Sequence, residues 1–253
     1  MLWQLISSFT TTAALVDGGV PFLQRWTLIH YRQLLSSDPP FLRFLLNSTV
    51  LASASTVLTI ALAIPAAYGL VRLPQRWLRV SRALIAGAAL FPYVLLFLAL
   101  LELARSLNLG NSLLALAIPY SALSLPLALL LLTAAFEGLP KDLDDAAKLE
   151  GMSLVQRLRW VLIPLIAPAT ASTAILVFLF AWNEYPIALT WLSRSEQLTL
   201  PVAMARIAGS SVYSVPYGAY AAATVLGALP LLLLVLLFQR QIVSGLTNGA
   251  VKG

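Results

Sequence analysis

Residues 112–136 read SLLALAIPYSALSLPLALLLLTAAF, a run of 25 without one charged side chain. About 20 mostly apolar residues suffice to cross the ~30 Å hydrocarbon core of a bilayer, so this stretch alone points to a membrane protein. Four further stretches meet the same requirement, at approximately 45–71, 83–104, 164–191 and 216–238. None has the alternating pattern of a barrel strand, and an open strand would leave its edge amides unpaired in lipid. The expected fold class is therefore all-α, a polytopic transmembrane helix bundle with five visible spans. Composition agrees: 60% of the 253 residues are hydrophobic and 10% charged, with a mean hydropathy of +0.88, where a soluble domain carries about 25% charged residues. Soluble enzymes are excluded on that ground. The absence of Cys and the single His, His30, remove disulfide frameworks, thiolate nucleophiles and Cys-His metal sites; no catalytic residue and no metal site is expected.

The net charge of +6 does not describe a nucleic-acid surface, because the cations lie in short loops rather than in a basic run with interleaved aromatics. Segments 71–82 (Arg72, Arg76, Arg79, Arg82), 137–163 (Lys141, Lys148, Arg157, Arg159) and 239–253 (Arg240, Lys252) hold ten of the 16 Lys and Arg. The remaining six (Arg25, Arg32, Arg43, Arg105, Arg194, Arg206) spread over the longer opposite side. The positive-inside rule puts the first three segments and the C-terminus in the cytoplasm. Five spans then place the N-terminus outside, although residues 1–44 hold no apolar run long enough to act as an anchor. The opening MLWQLISSF (1–9) reads like the outer end of a span cut short, which would make six; a five-span chain with an outside tail is the alternative. The spans contain Pro65, Pro92, Pro119, Pro126, Pro168, Pro186 and Pro230. Each favours a kink, which suits helices around a path and is also common in membrane helices generally.

The longest cytoplasmic loop, 137–163, reads as two short helices separated by a glycine. Pro140 suits the first helical position, and Asp142, Asp144 and Asp145 fall in the first turns, where the helix dipole favours anions. Gly151 ends that helix; Ser153 and Gln156 fit a capping box that opens the second, expected to break at Pro164. Leu143, Ala146, Ala147 and Glu150 share one face by their spacing, a shallow surface on which another protein's backbone can approach closely.

Asp145-Ala146-Ala147, Gly151 after three residues, and Val161-Leu162-Ile163-Pro164 after nine more resemble the E-A-A-x3-G-x9-I-x-L-P pattern of permease subunits of ATP-binding-cassette importers. Asp stands for the usual Glu, Val for Ile and Ile for Leu, with the spacing intact. The tail QRQIVSGLTNGAVKG (239–253), Trp182-Asn183-Glu184 and Leu200-Pro201-Val202 resemble the second permease of maltose-type sugar importers, which has six spans. The likeness covers nearly the whole chain and starts inside the family's first span.

The resemblance implies a permease subunit that translocates a mono- or oligosaccharide delivered by an extracytoplasmic sugar-binding protein. It implies a second, different permease and two ATP-binding subunits as partners, in a prokaryotic plasma (inner) membrane and its lipid, with no nucleic acid. The chain carries no G-x-x-x-x-G-K-[ST] loop; it binds no cofactor on this reading, ATP and Mg being held by the partner subunits. The loop 137–163 would supply the coupling helix. Asp145, Ala146, Ala147, Glu150, Gly151 and Pro164 are its expected ATPase-coupling residues. Gly245, Leu246, Thr247 and Gly249 in the tail 241–253 are expected to contact the ATPase, with glycine permitting an unusual backbone, unless that tail is frayed. Residues 1–44, 45–240 and 241–253 thus form an outer segment, a permease domain and a cytoplasmic tail. Tyr93, Tyr120, Trp182, Asn183 and Glu184 are the expected solute-path residues, since rings stack on sugar C–H faces and amides or carboxylates bind hydroxyls. Glu184 and Glu102 lie near the outer ends of their spans, within reach of water, so solvated structural roles stay open for them. The outside loop 192–215, with Gly209-Ser210-Ser211, Tyr213 and, just beyond it, Tyr217, is a candidate contact for the binding protein. The rival readings are an importer for another small solute and an ion-coupled secondary transporter; the latter leaves the cytoplasmic loop unexplained and normally brings two related halves.

Overall fold

The computed structural model describes residues 2–11, 15, 26–209 and 216–250, the last eleven by backbone path. Among them helices, turns and loops occur and no strand, as expected for a chain whose backbone amides must bond within their own segment in lipid. Helices α1 (Leu2–Ser8), α2 (Ile29–Leu35), α3 (Phe41–Val71), α4 (Gln75–Ala89), α5 (Phe97–Ser106) and α6 (Leu113–Glu137) come first. They are followed by α7 (Lys141–Leu149), α8 (Leu154–Leu165), α9 (Ala167–Asn183), α10 (Pro186–Trp191), α11 (Leu200–Ala208) and α12 (Tyr217–Ala250).

Three helices are long and apolar enough to span a bilayer: α3, α6 and the Tyr217–Gln239 part of α12. They carry Pro65, Pro119, Pro126 and Pro230 without interruption. The other two expected spans are each broken in two, giving five only if each pair counts as one. The stretch 83–104 is interrupted between α4 and the short 3₁₀ turn Tyr93–Leu96 that leads into α5. Pro92 has no N–H to continue the ladder and disfavours helical backbone at Phe91. The stretch 164–191 divides more sharply, α8 and α9 meeting at 83°, and α10 is separate again. Pro168 and Pro186, expected inside a span, instead sit in the first turns of α9 and α10, where a missing N–H costs nothing because no intrahelical partner exists there.

The chain divides into two compact units. One comprises 52–96, 117–181 and 235–253. Its core is Ala63, Ala67, Ala128, Leu132, Phe136, Leu162, Ile166 and Val177. The fully buried alanines on α3 and α6 let the helices approach closely, as small residues do between membrane helices. The buried hydroxyl of Thr59 returns to the Ser55 carbonyl at 2.7 Å and lies 3.1 Å from the Ser121 hydroxyl on α6, so this pair of hydroxyls is satisfied where the two helices meet.

The other unit comprises 1–51, 97–116 and 182–234. Asn111, in left-handed backbone (φ 61°), closes the turn before α6. Its Oδ1 accepts from Ser193 N (2.6 Å), the Ser193 hydroxyl (2.9 Å) and Arg194 N (3.1 Å), and its own N–H donates to the Trp191 carbonyl at 3.0 Å. Ser48 Oγ accepts from Leu200 N at 2.8 Å, satisfying one open donor at the start of α11. His30 is buried with Nε2 3.0 Å from the Thr10 carbonyl, and its ring lies against the backbone of Gly218.

A Cβ added at Gly218 would stand 2.1 Å from His30 Nε2. Gly218→Ala is expected to lower stability by about 1–3 kcal/mol through overpacking, read as a lower Tm of the detergent-purified protein. Gly69→Ala, whose Cβ meets nothing within 4 Å, is expected to leave Tm unchanged or raise it.

Candidate functional site

The loop 137–163 folds into the two helices expected of it, with informative differences. Pro140 is the residue before the first turn of α7 rather than its first helical residue, and Asp142 and Asp144 occupy that turn. At the other end Gly151 adopts φ +79°. Gly151 N–H bonds the Lys148 carbonyl and Met152 N–H the Ala147 carbonyl, both at 3.1 Å, the paired bonds that close a helix on a left-handed residue. The capping box follows at once: Ser153 N–H donates to Gln156 Oε1 (2.7 Å) and Gln156 N–H to Ser153 Oγ (3.4 Å). Pro164 does not break α8; the break comes at Ile166. Residues 157–162 widen into a π-turn, with Ile163 N–H reaching back to Leu158. The wider turn accommodates a proline that brings no donor and whose ring crowds the preceding carbonyls.

The face expected from spacing is split. Leu143, Asp145, Ala146 and Glu150 are exposed, with Leu149 at 91% beside them, whereas Ala147 is buried. Ala147 lies one turn from Asp144, and Asp144 is drawn inward. Its side chain is 4% exposed, in ion pairs with Arg72 and, at 2.8 Å, with Arg157 Nη1. Tyr68 donates its hydroxyl to Asp144 Oδ2 (2.9 Å) and accepts from Arg157 Nη1 (3.2 Å). The Tyr68 ring packs edge-on to Phe136 and lies 5.0 Å beneath the Arg72 guanidinium. A single carboxylate thus joins α7 to α3, to the residue just after it and to α8. Sequence reasoning placed Asp144 only as a dipole charge; its partners are 13 and 76 residues away, beyond any local pattern. A third ion pair, Arg82–Glu137, closes the end of α6 on α4 at the surface.

The expected solute-path residues are divided between the two units. Tyr93 and the fully buried Tyr120 both present edges to the Phe180 ring, at 5.6 and 6.1 Å between centroids. Trp182 and Asn183 belong to the other unit, where with Tyr185, Met204, Tyr220 and Thr224 they line a pocket of about 450 Å³, a size suited to a small solute. Glu184 is not a solvated carboxylate at the mouth of a span. It is 3% exposed and accepts from Ile187 N (3.0 Å) and Ala188 N (3.1 Å), capping the start of α10, where Pro186 leaves only those donors to satisfy.

The tail follows no irregular path: α12 continues through Gly245, Leu246, Thr247 and Gly249 to Ala250, and 251–253 lie outside the described residues. Of the loop 192–215, expected to lie outside, residues 200–208 form α11; Ser210, Ser211 and Tyr213 lie outside the described residues.

A model of the family described as binding-protein-dependent transport system inner membrane component matches residues 42–248. The sulfoquinovosyl glycerol transport system permease protein of Agrobacterium fabrum is 39% identical over 253 residues, all of this chain and 88% of that protein. The trehalose transport system permease protein of Mycobacterium tuberculosis and the trehalose/maltose transport system permease protein of Thermococcus litoralis are each 37% identical over 255 aligned positions, with all of this chain and 92% and 90% of theirs covered. A crystal structure of a bacterial ABC transporter that imports alginate superposes with a TM-score of 0.77 at 21% identity, over 94% of this chain and 88% of that one, which establishes the fold.

The turn at Gly151 sets a graded expectation. A Cβ there meets nothing within 4 Å, so the penalty is conformational alone. Gly151→Val is expected to destabilise the turn by about 1–3 kcal/mol and to speed limited proteolysis of the loop 137–163; Gly151→Asn, a residue that tolerates left-handed backbone, should be cleaved at nearly the wild-type rate.

Proposed function

We propose, since this chain belongs to the family of binding-protein-dependent transport system inner membrane components, that it is a permease subunit of an ATP-binding-cassette importer whose solute is a sugar. The observation that carries the solute class is end-to-end similarity, at 37–39% identity, to permeases named for sulfoquinovosyl glycerol, trehalose and trehalose/maltose transport. The pocket lined by Trp182, Asn183, Tyr185 and Tyr220 supports it, since flat rings and an amide suit C–H faces and hydroxyls. On this reading the chain performs no hydrolysis. Two ATP-binding subunits hold ATP and Mg and close on each other; the exposed face of α7 (Leu143, Asp145, Ala146, Leu149, Glu150) rides in a cleft of one of them. A second, different permease completes the path, and an extracytoplasmic binding protein delivers the sugar. The C-terminus lies in the cytoplasm, on the side that carries Arg76, Arg79 and α7.

Purification of the tagged chain from its native membrane in mild detergent should retain an ATP-binding subunit and a second permease. ATP hydrolysis by that complex in vesicles should rise with trehalose, maltose or sulfoquinovosyl glycerol and its binding protein, and not with amino acids or phosphate. A chain recovered alone would sink the importer reading, and stimulation by a non-sugar would sink the solute class.

Topology is testable because the chain has no Cys. A cysteine at Arg76 should resist a membrane-impermeant maleimide added from outside, and one at Ser195, in the segment after α10, should react; the reverse pattern would invert the orientation.

A further inference from the structure

The importer reading leaves open how a displaced surface helix moves the spans, and the geometry around Asp144 answers it. Apart from its exposed face, α7 is attached to the rest of its unit by two short covalent links and one side-chain cluster. The links are Gly138–Pro140 before it and Glu150–Ser153 after it. Neither fixes a direction: a linker of a few residues transmits tension, whereas a push needs contact. Ala147 contributes one small apolar contact. Asp144 contributes a three-way junction, with Oδ1 on Arg157 and Oδ2 on both Arg72 and the Tyr68 hydroxyl.

We propose that Asp144 is the positioning residue that locks α7 to the cytoplasmic end of α3 and to α8, so that the three move as one body when the ATP-binding subunits close. This inference rests on the coupling role proposed above for α7. Three properties of the junction fit a rigid latch. Both carboxylate oxygens are engaged, so the group has no second orientation of equal energy. The guanidiniums are planar forks with fixed donor directions, unlike the point charge of a lysine. Asp144 and Arg157 are withdrawn from water, their side chains 4% and 11% exposed, so the pair between them is little screened. The junction also carries two cations against one anion. Removing Asp144 alone would therefore set Arg72 and Arg157 against each other across Tyr68, turning attraction between α3 and α8 into repulsion.

That imbalance separates a mechanical role from mere charge compensation. Asp144→Asn together with Arg157→Gln removes the latch while leaving one cation, Arg72, whose side chain is 41% exposed and reaches water. The probe is a pair of spin labels on cysteines placed at Asp142 on α7 and at Leu73 just after α3, both exposed. The label separation is measured in the complex purified with its ATP-binding subunits, without nucleotide and with ATP plus vanadate. With the latch intact one narrow separation is expected, constant to within about 2 Å between the two states, the scale of small helix shifts. In the double variant the ATP-binding subunits should stay bound, and the separation should broaden and shift with nucleotide. Arg157→Lys, which keeps the charge and loses the fork, gives the same reading if the double variant fails to reach the membrane; its broadening should be smaller. The latch is overturned if the separation already changes with nucleotide in the wild type, or stays narrow in the variants. It is equally overturned if the variants reach the membrane but lose the ATP-binding subunits, since Asp144 would then shape the docking surface instead of transmitting its motion. A wild-type complex that never holds an ATP-binding subunit would overturn the importer reading itself.

Discussion

Every backbone amide that enters hydrocarbon must find its partner within the protein, and most of the chain's departures from plain helix are answers to that demand. Where the ladder is unbroken, α3, α6 and α12 meet it with their own carbonyls, and Thr49, Thr56, Thr59 and Thr224 return their hydroxyls to the preceding turn. Where a helix begins at a position buried in the protein, something else meets it. Glu184 lends both oxygens to the open amides of α10, Ser48 lends its hydroxyl to the first amide of α11, and proline at the first turns of α9 and α10 removes a donor that would otherwise lack an acceptor. The widened turn at 157–162 solves the same problem in reverse, by making room for a proline inside a continuing helix.

The same economy explains which features were legible in the sequence. The two helices of the loop 137–163, the glycine that ends the first of them and the Ser153–Gln156 capping box depend on residues within four positions of one another, and all were readable as spacing. The apolar spans were readable as length and composition. The breaks were not placed correctly, because length and hydropathy are blind to whether a proline lies inside a helix or starts one: Pro119 and Pro126 lie in an unbroken helix, whereas Pro92 precedes a restart. Glu184 was misjudged for a related reason. A carboxylate near the end of an apolar run looks solvated until the helix that begins two residues later, and needs it, is in view.

Asp144 marks the limit of local reading. Three acidic residues in one helical turn are equivalent to a dipole argument, and only the fold distinguishes the one that points inward. Its partners Arg72, just after α3, and Tyr68, on it, come from 72 and 76 positions earlier in the chain, and Ala147, one turn from that buried carboxylate, is buried with it. The outward part of the loop is consequently smaller than the motif suggests: Leu143, Asp145, Ala146, Leu149 and Glu150 face outward, while Asp144 and Ala147 are buried.

The closure of α7 by its own chain at the Gly151 end, followed immediately by the self-contained start of α8, has a consequence for anything that meets this surface. A helix whose terminal carbonyls are already satisfied offers only side chains to a partner. The segment is built like an adaptor whose plug, Asp144, sits in a socket of Tyr68, Arg72 and Arg157, and a change of side chain on its outward face leaves that internal fitting untouched.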